Sequence, residues 1–423
     1  MKRVGKITKK ILKLFGPGFI SGAADDDPSG IATYSQTGAI FGYKQLWTSL
    51  FVFPFLTVVQ EMCGRIGIVT GKGLAGVARK HYSKPVLFFS VGLLALVNII
   101  NIGANLGAMV SSVQLLIGIP TVILFAGIVF GSLALQIFVP YKAYSRYLKY
   151  LAFALLAYII TAFLVKQDWP QAIYFTVVPN FNFSKIYLLN IIAILGTTIS
   201  PYLFFWQAGE EVEEEVANHK IKGMGWGTPK INIRDIRQMR SSTIAGMFFS
   251  CLAMYFIILT TASTLHVHGI ENIETAAQAA EAIRPFAGNF TFLLFTLGII
   301  GTGLLANPVL AGSASYAVSE CFGWKEGLYR KLKSAKGFYG IIIAVTIIGL
   351  LVNFSSIPPF KMLYYSAILN GICAPPLLIM IMYISNNNKI MGKYTNSRFS
   401  NILGGIIIAV MSAATIGLVI TYL

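Results

Sequence analysis

Apolar residues gather along the chain in eleven stretches divided by short polar connections, at approximately 17–43, 46–68, 86–116, 120–139, 147–165, 187–209, 243–265, 290–318, 337–354, 362–384 and 402–423. Each comes close to or exceeds the roughly 20 residues that a helix needs to cross the hydrocarbon of a bilayer. No Gly/Ser linker or low-complexity stretch separates them, so the chain reads as one all-α transmembrane domain of eleven helices.

Two stretches are interrupted. The first reads GPGFISGAADDDPSGIATYSQTGAIFGY, with Asp25, Asp26, Asp27, Pro28, Ser29 and Gly30 at mid-depth. The sixth, YLLNIIAILGTTISPYLFFWQAGEE, breaks around Ser200 and Pro201. Proline removes a donor and clashes with the preceding turn. Backbone groups freed at that depth persist only where they line a polar cavity. The broken helices lie five spans apart, an odd number, so a second five-span copy inserts upside down relative to the first. Broken helices at matching places in inverted halves point to a binding site near the midplane. The expected plan is an inverted 5+5 repeat (17–166 and 187–384), with an added helix at 402–423 and a basic arm at 1–16.

Composition agrees. Of 423 residues, 56% are hydrophobic and 12% charged, about half the roughly 25% charged of a soluble domain. The formal charge of +17 would suggest nucleic acid in a soluble protein. Here its placement decides otherwise. With the N-terminus inside, 28 of the 33 Lys and Arg fall on cytoplasmic segments, and Lys44, Lys166, Lys185, Arg284 and Lys361 on the other side. That is the positive-inside bias; it puts the C-terminus outside in a cell (plasma or inner) membrane, with the bilayer as partner and no nucleic acid. Cys63, Cys251, Cys321 and Cys373 fall singly, which implies neither a disulfide framework nor a zinc site. The N-terminal arm lacks a long apolar core and cleavage site, and reads as retained.

An aspartate at the bilayer centre costs about 2.5–3.5 kcal/mol on insertion scales. Three in a row cannot share one helix face. The expected arrangement has Asp27 in the unwound bend and at least one other carboxylate in a water-filled vestibule. The donors around the breaks are the Asp27 carboxylate, the Ser29, Thr197, Thr198 and Ser200 hydroxyls, and freed carbonyls. With no His, Cys or Met in either break, the set suits Mg²⁺, Mn²⁺ or Ca²⁺. For Thr198, a bond back to its own helix is the stronger expectation.

These segments resemble the Nramp family of divalent metal transporters. The first-span run carries the family's Gly-Pro-x-Phe, Asp-Pro, Ala-Thr and Phe-Gly-Tyr elements. QEMCGRIGIVTGKGLAGVARKHY, LGTTISPYLFF and GTGLLANPVLAGSASYAVSECFG extend the resemblance over nearly the whole chain. It implies the inverted-repeat fold of the bacterial leucine transporter. It also implies a metal site at Asp27, at Gly30 (where the family has asparagine), at the Thr197 carbonyl and at Ser200 (where it has methionine). Tyr202 stands in place of the family's histidine, and Asn101 and Ala104 in place of the acids tied to proton movement. The departures resemble those of Nramp-related magnesium transporters.

Beside the ligands, Asp25, Asp26, Tyr202, Asn101 and Glu210 are candidate pathway residues. Asn98, Asn101 and Asn105 form a polar stripe suited first to interhelical hydrogen bonding. The acids at 210–215 read equally as a solvated helix end or as lining of the inner exit, and Glu61 and Arg65 as an i,i+4 ion pair. The function expected is alternating-access transport of Mg²⁺ or Mn²⁺ without obligatory proton coupling. No cofactor beyond the carried ion is expected, and a single chain suffices for such a site. A sodium-coupled carrier of small organic solutes is the alternative on the same fold. No nucleophile–base set or cofactor motif suggests an enzyme.

Overall fold

The computed structural model describes residues 16–422 apart from 183, 272, 274, 275, 355 and 356. Most of the basic N-terminal arm and Leu423 therefore lie outside the described residues. Among those described there is no strand.

The first apolar stretch divides into α1 (Pro17–Asp25) and α2 (Pro28–Phe41). Next come α3 (Trp47–Thr70), the short α4 (Leu74–His81), α5 (Lys84–Leu116), α6 (Thr121–Phe138), and the fifth span as α7 (Tyr141–Leu151) and α8 (Leu156–Leu164). A short α9 (Trp169–Val177) leads to the sixth span, split into α10 (Lys185–Thr198) and α11 (Pro201–Ala217). Then follow α12 (Ile233–Thr264), α13 (Ala276–Phe322, bent at Gly288), α14 (Lys336–Val352), α15 (Pro359–Asn386), the short α16 (Asn388–Met391) and α17 (Arg398–Tyr422).

Among the described residues nine helical stretches are long and apolar enough to cross a membrane. The other two expected spans are the one split at Asp26–Asp27 and the shorter apolar α14. The seventh helix starts at Ile233, well before the expected 243. Asn232 and Asp235 form a reciprocal cap there, which carries the helix beyond the apolar run.

Both breaks use one device. In the first, Asp26 leaves the helix (φ −87°, ψ 55°), Asp27 is extended (φ −69°, ψ 172°), and Pro28 opens α2. In the second, Ile199 leaves (φ −109°, ψ 59°), Ser200 is extended (φ −80°, ψ 131°), and Pro201 opens α11. Proline pushes the residue before it out of the helical region, and its own fixed φ and missing N–H suit the first helical position.

Small residues lock the broken helices in place. A Cβ added at Gly22 would lie 2.1 Å from the carbonyl carbon of Gly246, so α1 meets α12 backbone to backbone. In the other half, a Cβ at Gly67 of α3 would lie 2.3 Å from the Ala208 carbonyl of α11. The first span thus packs on the seventh and the sixth on the second, as an inverted 5+5 repeat requires. Close approach of this kind is how helices associate where lipid removes the hydrophobic drive.

The connections segregate as the charge pattern demands. On one face Gly225 donates to the Gly71 carbonyl at 2.7 Å, Arg65 reaches Asn396 Oδ1 at 2.6 Å, and Met224 meets the Tyr329 hydroxyl at 3.3 Å. This joins the basic loops after spans two, six, eight and ten. On the other face Gln36 reaches the Glu271 carbonyl at 2.9 Å, and His266 Nδ1 meets the Ala39 carbonyl at 2.9 Å.

Candidate functional site

Asp27 lies where the two breaks meet, and both its oxygens are hydrogen-bonded. Its Oδ1 accepts the Gly30 amide at 2.9 Å, as an N-cap should. Its Oδ2 accepts Nδ2 of Asn101 at 3.2 Å and of Asn105 at 3.1 Å from α5. Asn101 is held in turn by Ser366 of α15, whose hydroxyl donates to Asn101 Oδ1 at 2.9 Å. The asparagine stripe therefore bonds between helices, and two of its members end on the aspartate. Asn98 bonds instead to the Leu310 carbonyl and Ser313 of α13.

Across the gap, Ser29 and Thr197 hydroxyls stand 3.2 Å apart. Ser200 donates to the Thr197 carbonyl at 2.6 Å and the Gly196 carbonyl at 2.9 Å. These bonds leave lone pairs on the Ser200 hydroxyl and a second one on the Thr197 carbonyl. Thr198 bonds back to the Ile194 carbonyl at 2.8 Å, as its helical position suggests. Gly30 contributes its amide to Asp27, and a Cβ there would stand 3.3 Å from Thr197 Oγ1, so the gap between the breaks has little room for a side chain at this position.

The expected vestibule for a second aspartate is absent. Asp25, Asp26 and Asp27 are all at most 1% exposed. Asp25 Oδ2 accepts the Ser250 hydroxyl of α12 at 2.8 Å, while Asp25 Oδ1 and both Asp26 oxygens, with Ser250 and Tyr34 nearby, make no hydrogen bond of ordinary length among the described residues. The chain turns through the break with tight packing on α12, and that packing closes off solvent. No Lys or Arg forms an ion pair with the three among the described residues. Buried uncompensated carboxylates are costly, and a cation relieves that cost. Ser250 and Ser366 were hidden in the sequence. Ser366 sits four residues before Asn370 in an apolar helix, a polar pair that could have flagged it.

Among the described residues no three His, Cys, Asp or Glu side chains converge as a metal cage. Near the breaks the donors are one carboxylate with hydroxyl and carbonyl oxygens. Such a set holds a hard ion that keeps part of its water.

Tyr202 closes the inner side of the break. Its hydroxyl donates to the Ala24 carbonyl at 2.7 Å, tying α11 to the last turn of α1. Below it, Trp206 Nε1, both Glu210 oxygens and the Tyr144 hydroxyl are buried, with Trp206 turned toward Glu210 but no hydrogen bond of ordinary length among the described residues. Further along α11 a cavity of about 420 Å³ is lined by Lys149, Glu211, Glu214, Glu215, Lys220 and Asp235. The solvated reading of the acidic run fails for most of it. Glu210, Glu211, Glu213 and Glu215 are buried, because loop backbone and helix side chains fold over them. Glu213 accepts the Tyr316 hydroxyl at 2.7 Å and the Leu328 and Tyr329 amides. Glu61 pairs with Arg65 at 3.1 Å and also with Arg240 of α12 at 2.8 Å.

The chain matches the natural resistance-associated macrophage protein-like (Nramp) family over residues 18–421. It belongs to the Nramp family. A divalent metal cation transporter MntH from Yersinia pestis (strain Pestoides F) is 25% identical to this Nramp chain, covering 97% of it and 96% of the relative. An MntH of the same description from Caldanaerobacter subterraneus subsp. tengcongensis is 23% identical over 94% of this chain and 90% of its own. In structure, a manganese transporter from Eremococcus coleocola superposes with a TM-score of 0.74 at 15% identity, covering 98% of this chain and 87% of that one. The nucleobase-cation-symport-1 family transporter Mhp1 reaches 0.62 at 14% identity, covering 96% and 89%. The two structural likenesses establish the shared inverted-repeat fold. Nramp proteins are membrane transporters, and this one is a multi-pass member.

Proposed function

We propose that this Nramp protein is a secondary transporter that carries a divalent cation by alternating access, with Mg²⁺ favoured and Mn²⁺ next. The observation that carries the reading is the all-oxygen set around Asp27, held by Asn101, Asn105 and Gly30 between two prolyl helix breaks. Asp27 is the charged ligand, the Thr197 carbonyl and Ser200 hydroxyl complete the shell with retained water, and Gly30 leaves the space for it. The relatives named as divalent metal and manganese transporters support the substrate class. The preference for a hard ion follows from serine where a softer donor would favour softer metals.

Transport is not obligatorily coupled to protons in this reading. Asn101 and Ala104 supply no titratable relay on α5, and Tyr202 supplies none on α11. The membrane potential is sufficient drive: a divalent ion crossing about 100 mV gains about 4.6 kcal/mol, roughly three decades of accumulation. The basic face is cytoplasmic, the N-terminus with it, and the C-terminus is outside, in the cell membrane. Asp25, Asp26 and Glu210 belong to the ion's route. A sodium-coupled carrier of small organic solutes is disfavoured, since three buried aspartates at the break repel a substrate carboxylate.

The deciding experiment is uptake of Mg²⁺, Mn²⁺, Ca²⁺ and Zn²⁺ into liposomes with the membrane potential clamped, for wild type and Asp27→Ala. Asp27-dependent flux with Mg²⁺ or Mn²⁺ first is expected. Equal flux in Asp27→Ala would overturn the site, and a Zn²⁺ preference would overturn the hard-ion assignment.

A further inference from the structure

A separate cavity, of about 400 Å³, opens on the basic face away from the helix breaks. Four segments build it: the last turn of α3, the short helix α4, the loop at 225–228, and α16. Lys72, Lys80, His81 and Lys389 line it with Thr70 and Thr228, and no carboxylate is among its lining residues. The sequence reinforces this: 72–84, 219–234 and 386–398 contain no Asp or Glu at all.

The three lysines have no ion-pair partner. The ion pairs among the described residues are those of Arg65 and Arg240 with Glu61, and of Lys220 with Asp235. Lys72 also borders a neighbouring cavity that holds Glu320 and Glu326. Glu320, however, is engaged by the Gly73 and Gly76 amides at 2.5 and 2.8 Å. Partial burial and the positive charges of Lys80 and Lys72 hold the His81 imidazole below its ordinary range.

The cavity lies at the membrane boundary. Thr70 ends α3, Lys84 begins α5 and Asn386 ends α15. Exposed aromatic rings gather nearby, with Phe88 tilted against Phe322 at 6.0 Å and Phe322 stacked on Trp324 at 5.2 Å. Such belts sit at headgroup depth.

We propose that the cavity between α3, α4, α16 and the 225–228 loop binds a phosphate-bearing anion, supplied by an anionic phospholipid headgroup or by a soluble phosphate. Lysine ammonium groups bind phosphate as point charges, and Thr228 adds a hydroxyl. Basic pockets beside span ends are the sites that take anionic headgroups. This site is independent of the transported ion, so it stands or falls apart from the transport reading.

The test uses purified full-length protein in detergent. Native mass spectrometry reads retained phosphatidylglycerol against phosphatidylcholine, and thermal melting reads added inorganic phosphate at matched ionic strength. The variant Lys80→Ala/Lys389→Ala removes two exposed cavity cations. Lys331→Ala/Lys333→Ala removes the same charge elsewhere on that face. Wild type and the control are expected to bind alike, and the cavity variant at least about tenfold more weakly. Retention of phosphatidylglycerol alone assigns the lipid source. Stabilisation by inorganic phosphate without lipid assigns the soluble one. Equal behaviour of the two double variants, with either probe, overturns the proposal. Melting without ligand reports folding; should the cavity variant not fold, Lys389→Ala alone carries the same comparison.

Discussion

Asp27→Asn removes the charge from the site and one acceptor with it. The side chain keeps its length, so an oxygen can go on accepting the Gly30 amide that opens α2. On the other side the new amide faces two donors: Asn105 can turn its side-chain amide to offer Oδ1, while Asn101, whose Oδ1 is held by Ser366, loses its acceptor, a cost offset by relief of the buried charge. The cap, worth about 1 kcal/mol, is retained, and melting should change little. The lost term is the attraction of a doubly charged ion. At about 4 Å and an effective dielectric near 20 a unit pair is worth about 4 kcal/mol, so a divalent ion gains about 8 kcal/mol. The neutral amide oxygen and the relieved desolvation of the carboxylate return roughly half of that. The net loss of about 4 kcal/mol is close to three decades in affinity. Isothermal titration of Mg²⁺ and Mn²⁺ into detergent-purified protein measures it directly. Binding within about threefold of wild type, with unchanged melting, would refute the assignment of Asp27 as the charged ligand.

Further predictions bear on selectivity, packing, topology and coupling. Ser200→Met should raise the uptake ratio of Cd²⁺ to Mg²⁺, since a thioether prefers polarizable ions; an unchanged ratio in liposome flux places Ser200 outside the shell. Gly246→Val should destabilise by about 1–3 kcal/mol, because its Cβ position is 2.2 Å from the Gly18 carbonyl oxygen; unchanged thermal melting would mean that α1 does not rest on α12. Cysteines placed in the 220–230 loop and beyond Tyr422 should label from opposite sides of the membrane, and labelling from one side would remove a span. Metal uptake at clamped potential should not acidify the liposome lumen, and a pH-sensitive dye reporting Asp27-dependent acidification would establish proton coupling.

Much of the architecture was readable because single residues enforce it. Pro28 and Pro201 each follow polar residues in an apolar run, which made both breaks visible, whereas Pro54, Pro375 and Pro376 sit among apolar neighbours inside unbroken helices. The one-sided lysines fixed the alternation of loops, which the Gly225–Gly71 and Arg65–Asn396 bonds bear out. The Asn98–Asn101–Asn105 stripe announced a bonding face, but not that its target was Asp27. What remained hidden depends on partners remote in sequence. Ser250 holds Asp25 from 225 residues away, and a lone serine in an apolar helix gives no sign of that. Glu213 reads as a water-exposed acid until the 328–329 backbone folds over it. The vestibule expected for Asp25 or Asp26 failed for a similar reason: glycine at 22 and 246 lets α12 come near enough to seal it.

That glycine contact has a mechanical side. Most helix pairs mesh like gears, knob into hole, and sliding one along the other means lifting side chains over each other. Between Gly18, Gly22 and Gly246 there are no teeth. Backbone lies on smooth backbone, anchored at one side by the Phe19 amide on the Ser242 hydroxyl at 3.2 Å. A surface like this works as a plain bearing: a shift of the short arm α1 along α12 meets no interlock at the glycines, and gives up the Phe19–Ser242 and Asp25–Ser250 hydrogen bonds, the Phe19–Phe249 stack and, at the break, the Tyr202–Ala24 bond. Under the proposed alternating access, which exposes Asp27 to each side in turn, α1 is a cheap part to swing, and filling the bearing with a side chain at Gly22 or Gly246 would jam the cycle before it unfolded the protein.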